Sequence, residues 1–532
     1  MYNTSFIESG KLPVEIINTA SSREKGPGRP PFWEMIFWWT RKPLASARAV
    51  ILASLLPGDF DPVRFLKIIY PSYESLGKFS KTPHFLNPNT KLLESIDKNI
   101  VEKIRKTRLL DPFAGFGSIP LEAIRLGLGE VVAVELLPTA VVFLRAVLEI
   151  PKWIVEQKLE KQLLNDIEKW GLWIIEELGK DPDIQELYDQ DTVVYIGSWE
   201  IKCPFCGKYT PLVGNWWLAR VKNKKGYRAL AWMKPVKTQN GVVMEIVQIK
   251  EPIDLLTAQT IVKGNKTIGV RINNKEHYIG DPELRGEPNI NPRKQEATCL
   301  NCYAKIKGLK NTWLVKEALR EYNEKLEKYL RGEITIEELK ISRARPRILV
   351  KAKIINNNLV FESVLNEDNE KLWKALEKLK QIWGDPDIPV EQLPSYDQEF
   401  ARTHIWGFDK WFKLFNPRQL LTLVKLVKLI REAGKRVEEE KLKQGWDKGK
   451  AYKYAEAVTT YLAIALCKHA DYNSMESGWQ LSYLIAAHTL AMRGIAMVWN
   501  WGEYCPFSNY SGTFEAMLTR NIVEAIKYLI NA

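Results

Sequence analysis

The sequence predicts an α/β core, interrupted by a strand-rich α+β insertion and followed by a helical C-terminal region. Three observations predict it. Residues 108–135, RLLDPFAGFGSIPLEAIRLGLGEVVAVE, read as strand, glycine turn, short helix and second strand. Two C-x-x-C pairs, Cys203/Cys206 and Cys299/Cys302, bracket a stretch of short apolar runs separated by Gly, Asn and Pro turns. From residue 417 onward, apolar residues recur at helical spacing.

The elements follow in order. Residues 1–30 are polar, end in EKGPGRP and read as an extended leader. Residues 31–56 read as apolar helix broken by a basic turn at Thr40–Pro43. Residues 31–190 form the Rossmann-like cofactor-binding part, closed by an amphipathic helix over 153–180. Residues 191–400 form the insertion, whose strands begin at DTVVYIGSW, whose helix over 312–331 stops at Gly332, and whose last strands lie around 347–362. Residues 401–532 form the helical region, packing on the core or on a partner subunit. Its helices are PRQLLTLVKLVKLIREAG, AYKYAEAVTTYLAIALCKHA, a long one through Trp479–Val498 and a last one after Thr513.

Bulk properties bound the class. A chain of 532 residues, 45% hydrophobic and 27% charged, reads as a globular protein of several domains. The net charge of +13 favours a polyanionic partner, in a balance read as diffuse. Of 19 Trp, those in polar or basic contexts (Trp38, Trp39, Trp216, Trp217, Trp499 and Trp501) are candidates to stack on bases, although most will be core. The N-terminus has no signal-peptide pattern and no apolar run reaches membrane length; the nearest, LASARAVILASLLP, carries Arg48. The expected location is the cytoplasm, with no membrane partner. Abundant Lys, Glu and Ile with few His and Cys fit a thermophile.

The glycine loop carries the chemistry. Asp111 follows the first strand, Gly115 and Gly117 let the backbone approach a ligand, and Phe113 and Ala114 complete the turn. Ser118 is placed to cap the helix, Phe116 to cover a ligand, and Glu135, after the second strand, to accept from ribose hydroxyls. The plain alternative is a strand–turn–helix that binds nothing, or a nucleotide.

The four paired cysteines fit one tetrahedral Zn²⁺, with residues 207–298 inserted between the two knuckles. The alternatives are a redox pair or simple turns. Arg41 and Lys42, in FWWTRKPLASAR, are candidate contacts for a ligand carboxylate or an ordinary surface turn. RARPR (343–347) is the better phosphate-contact candidate, and KRVEEEKLKQGWDKGK (435–450) the weaker. Asp471, Asn473, Asn500 and Glu503 read as helix caps and turns, or as a substrate pocket.

The order WWTRKPLASARAVILASL, LLDPFAGFGSIPLEA, CPFC…CLNC, FNPRQLLTL, ADYNS and MVWNWGEYCPFS resembles the adenine-specific DNA methylases that contain a zinc ribbon. Their N-terminal region is a domain of unknown function, of the type numbered 1156. The resemblance spans nearly the whole chain. It implies a fold built on an S-adenosylmethionine-dependent methyltransferase core, with S-adenosylmethionine and Zn²⁺ as cofactors, DNA as partner, and Asp111 holding the methionine amino group. Such enzymes carry a [D/N/S]-P-P-[Y/F/W] motif; the nearest string is RPPF at 29–32, before the loop and with the wrong first residue. Catalytic residues are therefore unassigned. The expectation is a cofactor-binding and DNA-recognition subunit of a split amino-methyltransferase, active with a second chain that carries the motif, on adenine N6 ahead of cytosine N4. A non-catalytic zinc protein that binds nucleic acid is the second reading, and a self-sufficient RNA methyltransferase the third. The target site, the partner's identity and a role in restriction–modification, defence or housekeeping stay open.

Overall fold

Arg108–Asp111 (β1) and Glu130–Ala133 (β2) pair in parallel, Arg108 opposite Glu130 and Asp111 opposite Ala133. They are the only parallel pair among the described residues, and the helix Ser118–Arg125 crosses between them. This computed structural model describes residues 4–26, 28–239, 241–308, 312–394, 402–490 and 494–532. The chain mixes helix and strand and divides into two compact units. One comprises Met1–Gly171, Arg431–Ala465 and Leu518–Ala532, the other Leu172–Ile430 and Leu466–Met517.

The first unit is mostly helical. Its N-terminal stretch is not an extended leader: Val14–Arg23 is a helix that buries Ile17 and Ala20, and Phe6 packs against Phe60 and Phe65 at ring separations of 6.3 and 4.9 Å. The stretch is polar overall, but its few apolar residues share one face. The helix Leu44–Leu55 is mostly apolar and mostly buried, with Val50 and Ser54 left exposed. It is fastened at two points. The buried Glu24 carboxylate accepts from the amides of Leu44 and Ala45, both at 2.8 Å, and so caps the helix. Arg48, also fully buried, donates to Glu122 at 2.5 Å and to the carbonyls of Ile69 and Leu86, while Arg125 donates to the other oxygen of Glu122 at 2.7 Å. A buried charge this well satisfied fixes the position of the helix that carries it. No helix among the described residues is long and apolar enough to cross a membrane. The expected 153–180 helix is two, Ile150–Glu156 and Glu160–Lys180, with Lys158 between them at φ 58°.

The second unit is built on antiparallel strands. Thr192–Lys202 (β3) is buried along almost its whole length. Tyr209–Pro211 (β4) extends its pairing. Three small sheets follow: Trp217–Asn223 (β5), Gly226–Thr238 (β6) and Gly241–Gln248 (β7); Gln259–Lys263 (β8), Lys266–Ile272 (β9) and Lys275–Tyr278 (β10); Ile290–Asn291 (β11), Glu296–Thr298 (β12) and Lys305–Lys307 (β13). Helix Leu314–Leu330 then leads to Ala344–Ile355 (β14) and Asn358–Ser363 (β15), and the central sheet runs β15–β14–β3 and ends on Trp501–Tyr504 (β18).

The last strand of that sheet, β18, lies in the region expected to be mostly helical, between the helix expected over 479–498 and the one expected after Thr513. Among the described residues of 479–498 the expected helix is absent; residues 491–493 of that expectation lie outside the described residues. Trp479–Gln480 (β16) and Ile485–Ala486 (β17) form a hairpin, and the amides of Ala486 and Thr489 go to the Tyr504 hydroxyl and the Asp471 carbonyl, both at 2.7 Å. Distant partners take the hydrogen bonds that a helix would have closed locally. Within this unit Arg418 and Glu503 form a fully buried ion pair at 2.6 Å, with the guanidinium over the rings of Tyr195 and Tyr188.

Candidate functional site

Two sites stand out, one in each unit. In the first, the chain leaves β1 at Asp111 and turns sharply. Gly115 and Gly117 have φ of 53° and 82°. A Cβ on Gly115 would meet the Trp38 indole nitrogen at 3.5 Å, and one on Gly117 would meet Leu144 at 3.1 Å. Both positions therefore favour glycine for conformation, and Gly117 for space as well, whereas the contact at Gly115 would be an ordinary one. The turn is tied to the strand ends: Ala114 N donates to Val134 O at 3.0 Å, Val134 N to Asp111 O at 2.9 Å, and Gly115 N to Glu135 Oε1 at 3.0 Å.

Beside the loop lies a cavity of about 390 Å³, lined by Trp38, Thr40, Lys42, Asp111, Phe113, Ala114, Gly115, Phe116, Ser118, Ile119 and Glu135. Asp111 uses Oδ1 to accept from the Phe113 amide at 3.2 Å. The other Glu135 oxygen accepts from the Leu136 amide at 2.9 Å. Each carboxylate keeps lone pairs for a further donor. Ser118 Oγ is buried on this wall with no partner among the described residues.

The predicted loop residues thus gather around one cavity, with three refinements. Ser118 is the first residue of its helix and Gly117 the cap, because the left-handed turn at Gly117 already completes the approach. Phe116 contributes to the wall, but its ring is buried between Phe32, Trp38 and Phe143. The ring exposed in the loop is Phe113, at 86%. Of the basic pair only Lys42 lines the cavity: Arg41 donates to Ile36 O at 2.7 Å and lies over Trp33 and Phe116. Trp38 and Thr40 join the site from the same turn.

In the second unit the four cysteine sulfurs lie within 4.8 Å of one another. Cys203 and Cys302 are 3.8 Å apart, as are Cys206 and Cys299. Four sulfurs about 2.3 Å from one tetrahedral ion would stand about 3.8 Å apart, so the cluster can hold an ion such as zinc. The two knuckles are built alike. The amides of Cys203 and Cys299 donate to the carbonyls of Lys208 and Ala304 at 2.9 and 3.0 Å, and Gly207 and Tyr303 close the turns at φ 70° and 60°. Burial pushes the Cys203 thiol up; for Cys299 burial is outweighed by the amides of Cys302 and Asn301, which hold it below its ordinary value.

The remaining candidates are absorbed by structure. In RARPR, Arg345 and Arg347 each donate to Glu200 at 2.6 Å and Arg343 pairs with Glu321, so all three arginines already have carboxylate partners. Asn500 accepts from the amides of Gly214 and Asn215, Asn473 accepts from Tyr504 N, and Asp471 holds His488 Nδ1 at 2.5 Å. With Glu503 on Arg418, all four late polar residues serve internal contacts.

No curated protein and no solved structure matches the chain. Residues 11–68 match a family described as "Protein of unknown function (DUF1156)", the domain that the resemblance names for this region.

Proposed function

We propose that the chain is the cofactor-binding and DNA-recognition subunit of a split DNA amino-methyltransferase. In this reading it binds S-adenosylmethionine beside the glycine loop and Zn²⁺ at the four cysteines. A second polypeptide supplies the D-P-P-Y motif, and the target is adenine N6 ahead of cytosine N4. The observation that carries the reading is the cavity itself, where a parallel strand–loop–helix–strand unit in the Rossmann manner presents an acid after each strand to one space.

The residues suit that ligand. Asp111 would take the methionine ammonium, Glu135 the ribose diol, Lys42 the carboxylate, and Ser118 Oγ has a hydrogen bond to give. Bound S-adenosylmethionine supplies an electrophilic methyl group; this chain's part is to orient it and to keep the loop closed.

A second chain is supported by the surface of the parallel pair. Leu110, Val132, Val134 and Leu137 are exposed, and Leu136 is 91% exposed. Parallel strands are ordinarily covered on both faces, so this apolar surface suits further strands or helices.

Calorimetric titration of S-adenosylmethionine into the purified chain tests the reading, with Gly115→Arg and Glu135→Ala as controls. Binding lost in both variants, with methyl transfer appearing only after a D-P-P-Y polypeptide is added, is the expected result. Methyl transfer by the chain alone would favour a self-sufficient enzyme. No cofactor binding, with nucleic-acid binding intact, would favour a non-catalytic zinc protein, a reading that the charge of the cysteine-bounded region supports.

A further inference from the structure

The basic balance, expected to be diffuse, is concentrated. Residues 203–310 hold 19 Lys and Arg against 8 Asp and Glu, a net +11 of the chain's +13. Between Glu200 and Glu245 there are nine Lys and Arg and no acid at all.

The densest part is the β5–β6 hairpin. Its register sets Lys222 opposite Tyr227 and Asn223 opposite Gly226, which leaves Lys224 and Lys225 as the turn. Asn223 Oδ1 accepts from Lys225 N at 2.8 Å and fixes that turn. Lys222, Lys224, Lys225 and Arg228 are exposed, and none forms an ion pair with a described residue. This contrasts with RARPR, whose arginines already have carboxylates. The arm is stiff at its base, where Trp217 and Trp232 face each other across the strands, edge to face at 5.7 Å. Four cations without a carboxylate partner, two in the turn and two on the strands beside it, repel one another, a cost that a polyanion relieves. The helix Pro252–Thr257 packs against β6, with the Leu256 backbone beside Gly226, so the hairpin end is a supported basic surface on which phosphates can lie.

We propose that the exposed end of the β5–β6 hairpin binds the phosphate backbone of duplex DNA, with Lys222, Lys224, Lys225 and Arg228 neutralising phosphates. The proposal rests on the reading that the chain acts on DNA, and it names the element that does the binding.

The test is fluorescence anisotropy of a labelled duplex with the full chain across a salt series. The variant K222Q/K224Q/K225Q/R228Q is expected to bind about tenfold more weakly or worse, and to lower the slope of log affinity on log salt by about 3 to 4. K224Q/K225Q alone should lower it by about 2, and K224R/K225R should restore wild-type binding. K91Q/K98Q, which removes exposed lysines elsewhere, should change nothing. Unaltered melting midpoints show that the variants fold; if the fourfold variant melts early, the double variant decides. Wild-type binding with an unchanged slope in the hairpin variants would overturn the hairpin assignment and leave the DNA reading standing. Failure of the wild-type chain to bind duplex, or tighter binding of single-stranded RNA of the same sequence, would overturn both.

Discussion

The Gly115 amide donates to Oε1 of Glu135 at 3.0 Å, so the acid that follows β2 holds the loop that follows β1. One side chain thus shapes the loop and faces the cavity. Glu135→Ala should lose both roles and weaken S-adenosylmethionine binding about 10- to 100-fold, the usual cost of a hydrogen bond to a charged group. Glu135→Gln keeps a neutral acceptor for the Gly115 amide and should lose less. Calorimetry on both variants checks this; equal losses would separate the loop contact from binding.

The metal site makes a sharper stability prediction. The purified chain should carry one zinc ion per molecule by elemental analysis, and Cys203→Ser with Cys299→Ser should abolish it. The two knuckles come from chain segments separated by residues 207–298, so the ion closes a long loop, and its loss should lower the melting midpoint by several degrees. Full zinc content in the double variant would remove these cysteines from the site.

The loop and the cysteines were legible because their information is local. A turn needing two left-handed residues shows as Gly115 and Gly117, and each knuckle as a C-x-x-C. What the sequence concealed depends on partners far along the chain. RARPR looks free until Glu200, on β3, is seen beside β14. The stretch 479–498 has helical composition, but its amides are claimed by Tyr504 and Asp471. The leader looked polar because its buried apolar residues, Phe6, Ile17 and Ala20 among them, are few.

That concealment can be tested directly. Glu200 is 3% exposed and neutralises two arginines that are only partly exposed. Glu200→Gln leaves both short of a counter-charge and should destabilise the second unit by about 2–4 kcal/mol, somewhat less than the loss of a fully buried pair. Arg345→Gln with Arg347→Gln should likewise lower the melting midpoint, yet leave the salt dependence of DNA binding unchanged. A salt slope that falls with the arginines would return RARPR to the nucleic-acid surface.

The exposed parallel pair predicts where the second chain docks. Leu136→Asp places a charge on the apolar surface beside the glycine loop. The isolated chain should fold and bind S-adenosylmethionine as before, since Leu136 is nearly fully exposed. Methyl transfer reconstituted with the D-P-P-Y polypeptide should fall at least tenfold, and recover at high partner concentration, because a charge forced into an apolar interface costs affinity and not chemistry. Unchanged reconstitution would place the interface elsewhere.

Glu24 gives the first unit a pH signature. Burial raises its carboxyl from the ordinary 4.5 to about 7, against the amides of Ala45 and Leu44, which favour the carboxylate. An acid held above its unfolded value adds stability below about pH 4.5 and loses it as the pH rises through about 7. His84 runs the opposite way: burial lowers it from 6.5 to about 4, so its contribution is present above pH 6.5 and lost as the pH falls toward 4. Between about pH 4.5 and 6.5 these two contributions nearly offset each other. Glu24→Gln removes one side of that balance while keeping an acceptor for the helix Leu44–Leu55. Relative to the wild type its stability should rise with pH across the same window, by up to about 3 kcal/mol between pH 4.5 and pH 8. Thermal melts of both proteins through this range decide the matter: parallel profiles would mean that the Glu24 carboxyl titrates normally and does not carry a buried charge at the start of the helix that leads out of the cavity wall.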